Sequence, residues 1–190
     1  MQSRHYWIIF LVIVLFGVSA YILISRGYFP IAVVNSAIIT QRQYEKNLSA
    51  IYQYSDELEK VYQAPDVPSA GNKKVELKRI VLQEIVENTI IHQDVKRRLG
   101  SSFDDIVDNK IKDLSGSEDL KKAASTLYGL TLADFIDLFI KPAAERELLD
   151  GKLLLEKTTF DDWFKEAKKN ASVTLLVSGF FWNGDGVEVK

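Results

Sequence analysis

The sequence predicts a mostly helical protein: an N-terminal transmembrane helix, then a helical domain carrying a small β element. Three observations carry this reading. An uncharged apolar run opens the chain, apolar stripes at helical spacing recur through its middle, and short β-rich runs lie just before the first and after the last of these stripes.

Tyr6 to Ile24 reads YWIIFLVIVLFGVSAYILI without a charge. As a helix it spans roughly 30 Å, the thickness of one hydrocarbon core. Tyr6, Trp7 and Tyr21 stand toward its ends, as aromatic residues do at membrane interfaces. The competing reading is a cleaved signal peptide, since Val18-Ser19-Ala20 is an acceptable cleavage site. Tyr21 to Ile24 prolong the apolar run beyond that site and favour retention. Residues 1–5 are then a short tail, 6–24 the anchor and 25–30 a linker. Arg4 on one side and Arg26, Arg42 and Lys46 on the other leave the orientation undetermined by charge.

Ile31–Val34, Asn35-Ser36 and Ala37–Ile39 read as strand, tight turn and second extended piece, because Asn tolerates a left-handed backbone. Thr40 with Gln43 fits a capping box at a helix start. Tyr44, Leu48, Ile51, Leu58 and Tyr62 share one face of that helix, which stops near Gln63. Ala64 to Gly71 is a loop by composition. Lys73 to Leu99 is a long helix, apolar on nearly all sides and therefore expected to be surrounded, with Gly100 as its stop. Ser102 with Asp105 is expected to cap a short helix running to about Leu114, before a break at Ser115-Gly116. Ser117 opens the next helix, ending near Tyr128-Gly129, and Thr131 with Asp134 opens another that Pro142 should kink. Asp161 to Asn170 is a short charged helix bearing Trp163 and Phe164. Ser172 to Trp182 is β-rich, and Asn183-Gly184 opens a C-terminal tail over 183–190.

Composition excludes several chemistries. Cysteine is absent, so thiol catalysis and thiolate metal sites are out. A net charge of -2, with both signs spread along the chain, argues against nucleic acid as a partner, and the basic run Lys96-Arg97-Arg98 reads as a solvated face. No phosphate loop, dinucleotide fingerprint or Gly-x-Ser-x-Gly occurs, and no cofactor is expected. Of the two histidines only His92 lies in the domain; Glu84, Asn88 and His92 share a helical face and read as a partly buried polar strip rather than a zinc site, for want of a second His. The pairs Asp104-Asp105, Glu118-Asp119 and Asp161-Asp162 all fall at expected helix starts, where acids complement the helix dipole. Tyr52 and Tyr54 flank the first soluble helix's stripe. Either they widen its core face, as ordinary stripe widths favour, or they contact extended peptide, which makes them the candidate peptide-binding residues.

The order of elements resembles the SurA/PrsA-type extracytoplasmic chaperones. Ala32-Val33-Val34-Asn35-Ser36-Ala37-Ile38-Ile39-Thr40-Gln41 looks like that family's opening strand, turn and helix start, and Leu82 to Ile91 like its central helix. Leu127 to Phe135 resembles its glycine turn into a long helix. Phe160 to Lys165 with Ala171 to Val177 looks like its closing helix and strand. The resemblance implies a SurA-N-like domain over 31–182 whose closing piece packs back on the early helices, the strand from Val173 to Val177 joining the hairpin at Ile31 to Ile39 in one small sheet. It departs from many relatives in one respect: Glu156 to Phe160 joins two helices directly where they carry a parvulin prolyl-isomerase domain, and the two-histidine isomerase site has no counterpart. The expected function is that of a chaperone, not an enzyme. The domain would be held outside the cytoplasm by a single-pass anchor and would bind unfolded or newly exported polypeptides without nucleotide. The alternatives are an adaptor docking one fixed partner and, less well supported, a degenerate isomerase.

Overall fold

The computed structural model describes residues 3–25, 27–62, 70–114 and 116–190. It is mostly helical with two small sheets. Helix α1 (Ser3–Ser25) is followed by β1 (Pro30–Val34) and β2 (Ala37–Thr40), then α2 (Gln41–Tyr62), α3 (Ala70–Leu99) and α4 (Phe103–Ile111). Next come α5 (Glu118–Tyr128), α6 (Leu132–Phe135), a π-helical turn (Ile136–Ile140), α7 (Lys141–Leu155) and α8 (Phe160–Asn170). Strands β3 (Val173–Leu175), β4 (Phe180–Trp182) and β5 (Val187–Val189) close the chain.

The hairpin forms as its sequence dictates. Asn35 takes φ 55° at the turn, and β1 pairs antiparallel with both β2 and β3, giving the order β2-β1-β3. The expected joining of the N-terminal hairpin and the late strand in one sheet is thus observed. Asn35 clamps the junction: its N–H donates to Ser172 O at 2.7 Å, and its Oδ1 accepts from the Ser172 N–H at 3.0 Å. Gln93 on α3 accepts from Asn35 Nδ2 at 2.6 Å and donates to Val34 O at 3.0 Å, tying the turn to the central helix.

Helix α3 is surrounded, as its all-round apolarity requires. Val81, Leu82, Ile85, Val86 and Ile90 join Ile31, Ala32, Val34 and Ile39 of the hairpin in the main core. One turn further on, Ile91 and Val95 pack with Phe103, Val107, Leu149 and Leu153, drawing in α4 and α7. Helix α8 lies against α3 and α7, with Trp163 half-buried between both clusters. On the first soluble stripe Tyr44 is buried, Leu48 and Ile51 are half-buried, and Leu58 is exposed near the helix end.

Most helix ends match their sequence signals. Thr40 Oγ1 accepts from Gln43 N at 3.3 Å, Ser117 Oγ from Leu120 N at 3.2 Å, Thr131 Oγ1 from Asp134 N at 3.1 Å and Thr159 Oγ1 from Asp162 N at 3.1 Å. Gly129 ends α5 at φ 65°, where the chain bends by 83° into the following helix. All three acidic pairs stand in first helical turns.

Four expectations are corrected. Ser102 makes no cap: Gly100, at φ 59°, opens a 3-10 turn that delivers Ser102 to α4 already in helical conformation, so its hydroxyl cannot fold back on the N–H groups. Ala70 and Gly71 belong to α3, which begins at Ala70; residues 64–69 of the expected loop, and Ser115 of the expected break, lie outside the described residues. Just ahead of Pro142, where a kink is expected, the helix carries a π turn over Ile136–Ile140. Proline offers no N–H to the carbonyl one turn back and crowds it, and the wider turn before it relieves both. Finally, residues 183–190 are no tail. Asn183 Oδ1 accepts from the Asp185 and Gly186 N–H groups at 2.8 Å, and β5 returns along β4 with Val187 buried in the main core.

Among the described residues no single helix is long and apolar enough to cross a membrane; the apolar stretch there is Ile9–Val18, within α1. The segment read as a linker is partly tied down: the Arg42 N–H donates to Gly27 O and the Gln41 N–H to Phe29 O, each at 2.8 Å.

Candidate functional site: an aromatic cluster between α2 and the π turn

Tyr54, on α2, stacks parallel on Tyr128 at the end of α5, with ring centroids 4.8 Å apart. Tyr128 in turn meets Phe135 and Phe139, each at 5.1 Å, and these two meet each other at 5.2 Å. The left-handed turn at Gly129 and the Thr131 cap set the two sides of this cluster. They fold α6 back so that Phe135 faces Tyr128, and the π turn places Phe139 one turn further along. Glycine is favoured here by the left-handed φ of 65°; a Cβ at that position would also displace the flexible end of Gln53, whose Oε1 would lie 2.1 Å away. Phe135 is buried, and Tyr54, Tyr128 and Phe139 are half-buried.

Charge enters the cluster from α3. Burial pushes the Glu84 carboxyl above its ordinary range, with Glu87 adding to the shift. Burial also raises the Tyr128 hydroxyl, assisted by Tyr54 and then by Glu84. Two turns along α3, His92 Nδ1 lies 3.1 Å from both carboxylate oxygens of the buried Glu145, and its ring meets Phe103 edge-on. The strip Glu84-Asn88-His92 therefore faces α5 and α7, and His92 finds its hydrogen-bond partner in Glu145, 53 residues away.

Tyr52 and Tyr54 do not act together. Tyr54 joins the cluster, whereas the Tyr52 hydroxyl points to Lys74 O at 3.5 Å, on the start of α3. Tyr44, buried on the same helix, has its hydroxyl pushed up to about 12, chiefly by burial. Tyr128 and Glu145 were not among the residues read as site candidates. A tyrosine at a helix end and a glutamate within a charged helix carry no local signal, and both matter only through contacts distant in sequence. Away from this cluster, a concavity of about 440 Å³ lies between α3 and α8 and is lined by Gln93, Asp94, Arg97, Trp163 and Glu166 among others. Asp94 is there paired with Arg97 and, at 2.6 Å, with Arg98, which also reaches Glu156 at 2.5 Å.

The family model described as SurA-like N-terminal domain matches residues 3–126. The chain belongs to this family. No curated protein and no solved structure gives a match. The matched segment of the SurA-like domain runs from α1 through most of α5. It includes Tyr54 and Glu84, while Tyr128, Phe135 and Phe139 follow it directly. Helix α7 ends at Leu155 and α8 begins at Phe160, so no parvulin domain separates them.

Proposed function

We propose that this SurA-like protein is a membrane-tethered holdase, its domain outside the cytoplasm, that binds unfolded or newly exported polypeptides without nucleotide. Family membership supports a chaperone-like or adaptor role. The observation that supports the finer reading is the cluster of half-buried rings Tyr54, Tyr128 and Phe139. Aromatic faces gain by covering apolar side chains of any sequence, and a chaperone needs an affinity blind to sequence. Client capture there lowers the free concentration of unfolded chain and so opposes aggregation. The tether is the apolar helix α1, whose side chains from Ile9 to Val18 stand away from the domain. Cross-linking in intact membranes followed by isolation of the chain tests the reading. A chaperone yields many substoichiometric polypeptides, all displaced by an added unfolded protein. A single stoichiometric partner that survives this competition would make the protein an adaptor.

A further inference from the structure

The sheet β2-β1-β3 has two unlike faces. Ala32, Val34 and Ile39 turn inward and are buried against α3. The register places Val33 opposite both Ile38 and Thr174, and Pro30 opposite Thr40, on the other face. Leu176, whose N–H donates to Ile31 O, follows Leu175 and falls on this outer face too. The outer positions are thus Pro30, Val33, Ile38, Thr40, Thr174 and Leu176, without a charge among them. Ile38 is 63% exposed and Leu176 50%.

The chain enters β1 from the end of α1. Tyr28 and Phe29, 46% and 48% exposed, lead into β1. This lead-in is fastened to the start of α2 by the Gly27 and Phe29 carbonyl bonds. The Arg42 guanidinium lies 5.8 Å from the centre of the Tyr28 ring and donates to its hydroxyl at 3.1 Å. From Ser25 to Pro30 the chain reaches about 17 Å even at full extension. The sheet therefore starts close to the last turn of α1 and is not hung from it on a free tether.

We propose that this outer sheet face rests in the headgroup layer of the membrane that α1 enters, with Tyr28, Phe29, Ile38 and Leu176 as its contacts; the proposal rests on the anchor reading given above. A bilayer's interfacial zone takes aromatic rings, small polar groups and arginine, and this surface combines them beside an apolar helix. The far end of the α2–α3 hairpin, where Val61 is 73% exposed, then projects away from the lipid.

The chain has no cysteine, so single labels can be placed cleanly. The full chain, carrying a nitroxide on Ile38→Cys, Leu176→Cys, Val61→Cys or Val12→Cys, is reconstituted in phosphatidylcholine vesicles with a minor share of phosphatidylglycerol. Collision with oxygen is compared with collision with a water-soluble nickel chelate. The expected result is an oxygen-to-nickel ratio at positions 38 and 176 severalfold above that at 61 and below that at 12. Ratios at 38 and 176 equal to that at 61, with 12 in hydrocarbon, overturn the sheet placement and leave the anchor intact. A water-exposed label at 12 removes the anchor and this proposal with it. Spin–spin broadening at 38 that vanishes on dilution with unlabelled chain assigns the face to a second copy instead. Melting of each labelled chain verifies the fold, and the label at 176 provides an independent reading if the one at 38 disturbs the hairpin.

Discussion

Deleting residues 183–190 should destabilise the whole domain, although it removes only the last strand. Val187 is 1% exposed and sits in the main core with Phe180. Burying a valine of this kind contributes about 1.5–3 kcal/mol. Phe180 pairs with Val189 and Trp182 with Val187, so β4 loses its only strand partner and Phe180 part of its cover, at about 1–2 kcal/mol more. The Arg79 bond to Val187 O at 3.2 Å also goes, as does the exposed Lys168–Asp185 pair at 2.8 Å, which adds little. The sum is about 3–5 kcal/mol, a large part of an ordinary net stability of about 5–15 kcal/mol. For a domain of this size it lowers the melting temperature by about 6–20 °C. Circular dichroism melts of the full and truncated chains in the same detergent give the answer. A truncated chain that melts cooperatively at the temperature of the full one would show that the hairpin is an appendage and that the core closes without it.

Other outcomes follow from single residues. Leu149→Ala empties a site that is 0% exposed between α3, α4 and α7, and should cost about 2–5 kcal/mol, visible as a drop of about 4–20 °C in the same melts. Glu84→Gln should raise the melting temperature at neutral pH. Burial lifts the folded-state pKa of Glu84, so the folded chain holds that proton more tightly than the unfolded one. Its contribution to stability is greatest in acid and is lost as pH rises from the ordinary carboxylate value through the raised one. The gap between Glu84→Gln and the unaltered chain should therefore close in acid; a gap independent of pH would show that ionisation is not its cause. In a proline-limited refolding assay the chain should give no acceleration over an inert protein, and a rate abolished by His92→Ala would contradict this.

What the sequence disclosed was local. A turn at Asn35-Ser36, caps at Thr40, Ser117 and Thr131, and a stop at Gly129 each need only a few neighbouring residues to act. Ser102 misled because its capping pattern is local, while its backbone is set by the turn begun at Gly100. The strand at Val187–Val189 escaped notice because three residues show too little alternation, and its burial depends on a core built mostly elsewhere in the chain. For the site the division is sharper. Tyr54 was legible as an aromatic beside a stripe, but its partner Tyr128 lies 74 residues away and Glu145 meets His92 only once α7 is laid along α3. The sheet joining β1 to β3 was legible solely through family resemblance, since nothing in Val173–Leu175 names its partner strand.

The central claim is that the aromatic cluster captures unfolded chain. It is tested most directly by light scattering of a chemically unfolded client diluted into buffer with the detergent-solubilised protein, either unaltered or as Tyr54→Ser/Phe139→Ser. The unaltered chain should suppress aggregation at near-equimolar ratio without nucleotide. The double variant, its fold verified by its melt, should lose most of that suppression. Equal suppression by a folded double variant would place client binding elsewhere, and no suppression by the unaltered chain would contradict the holdase reading itself.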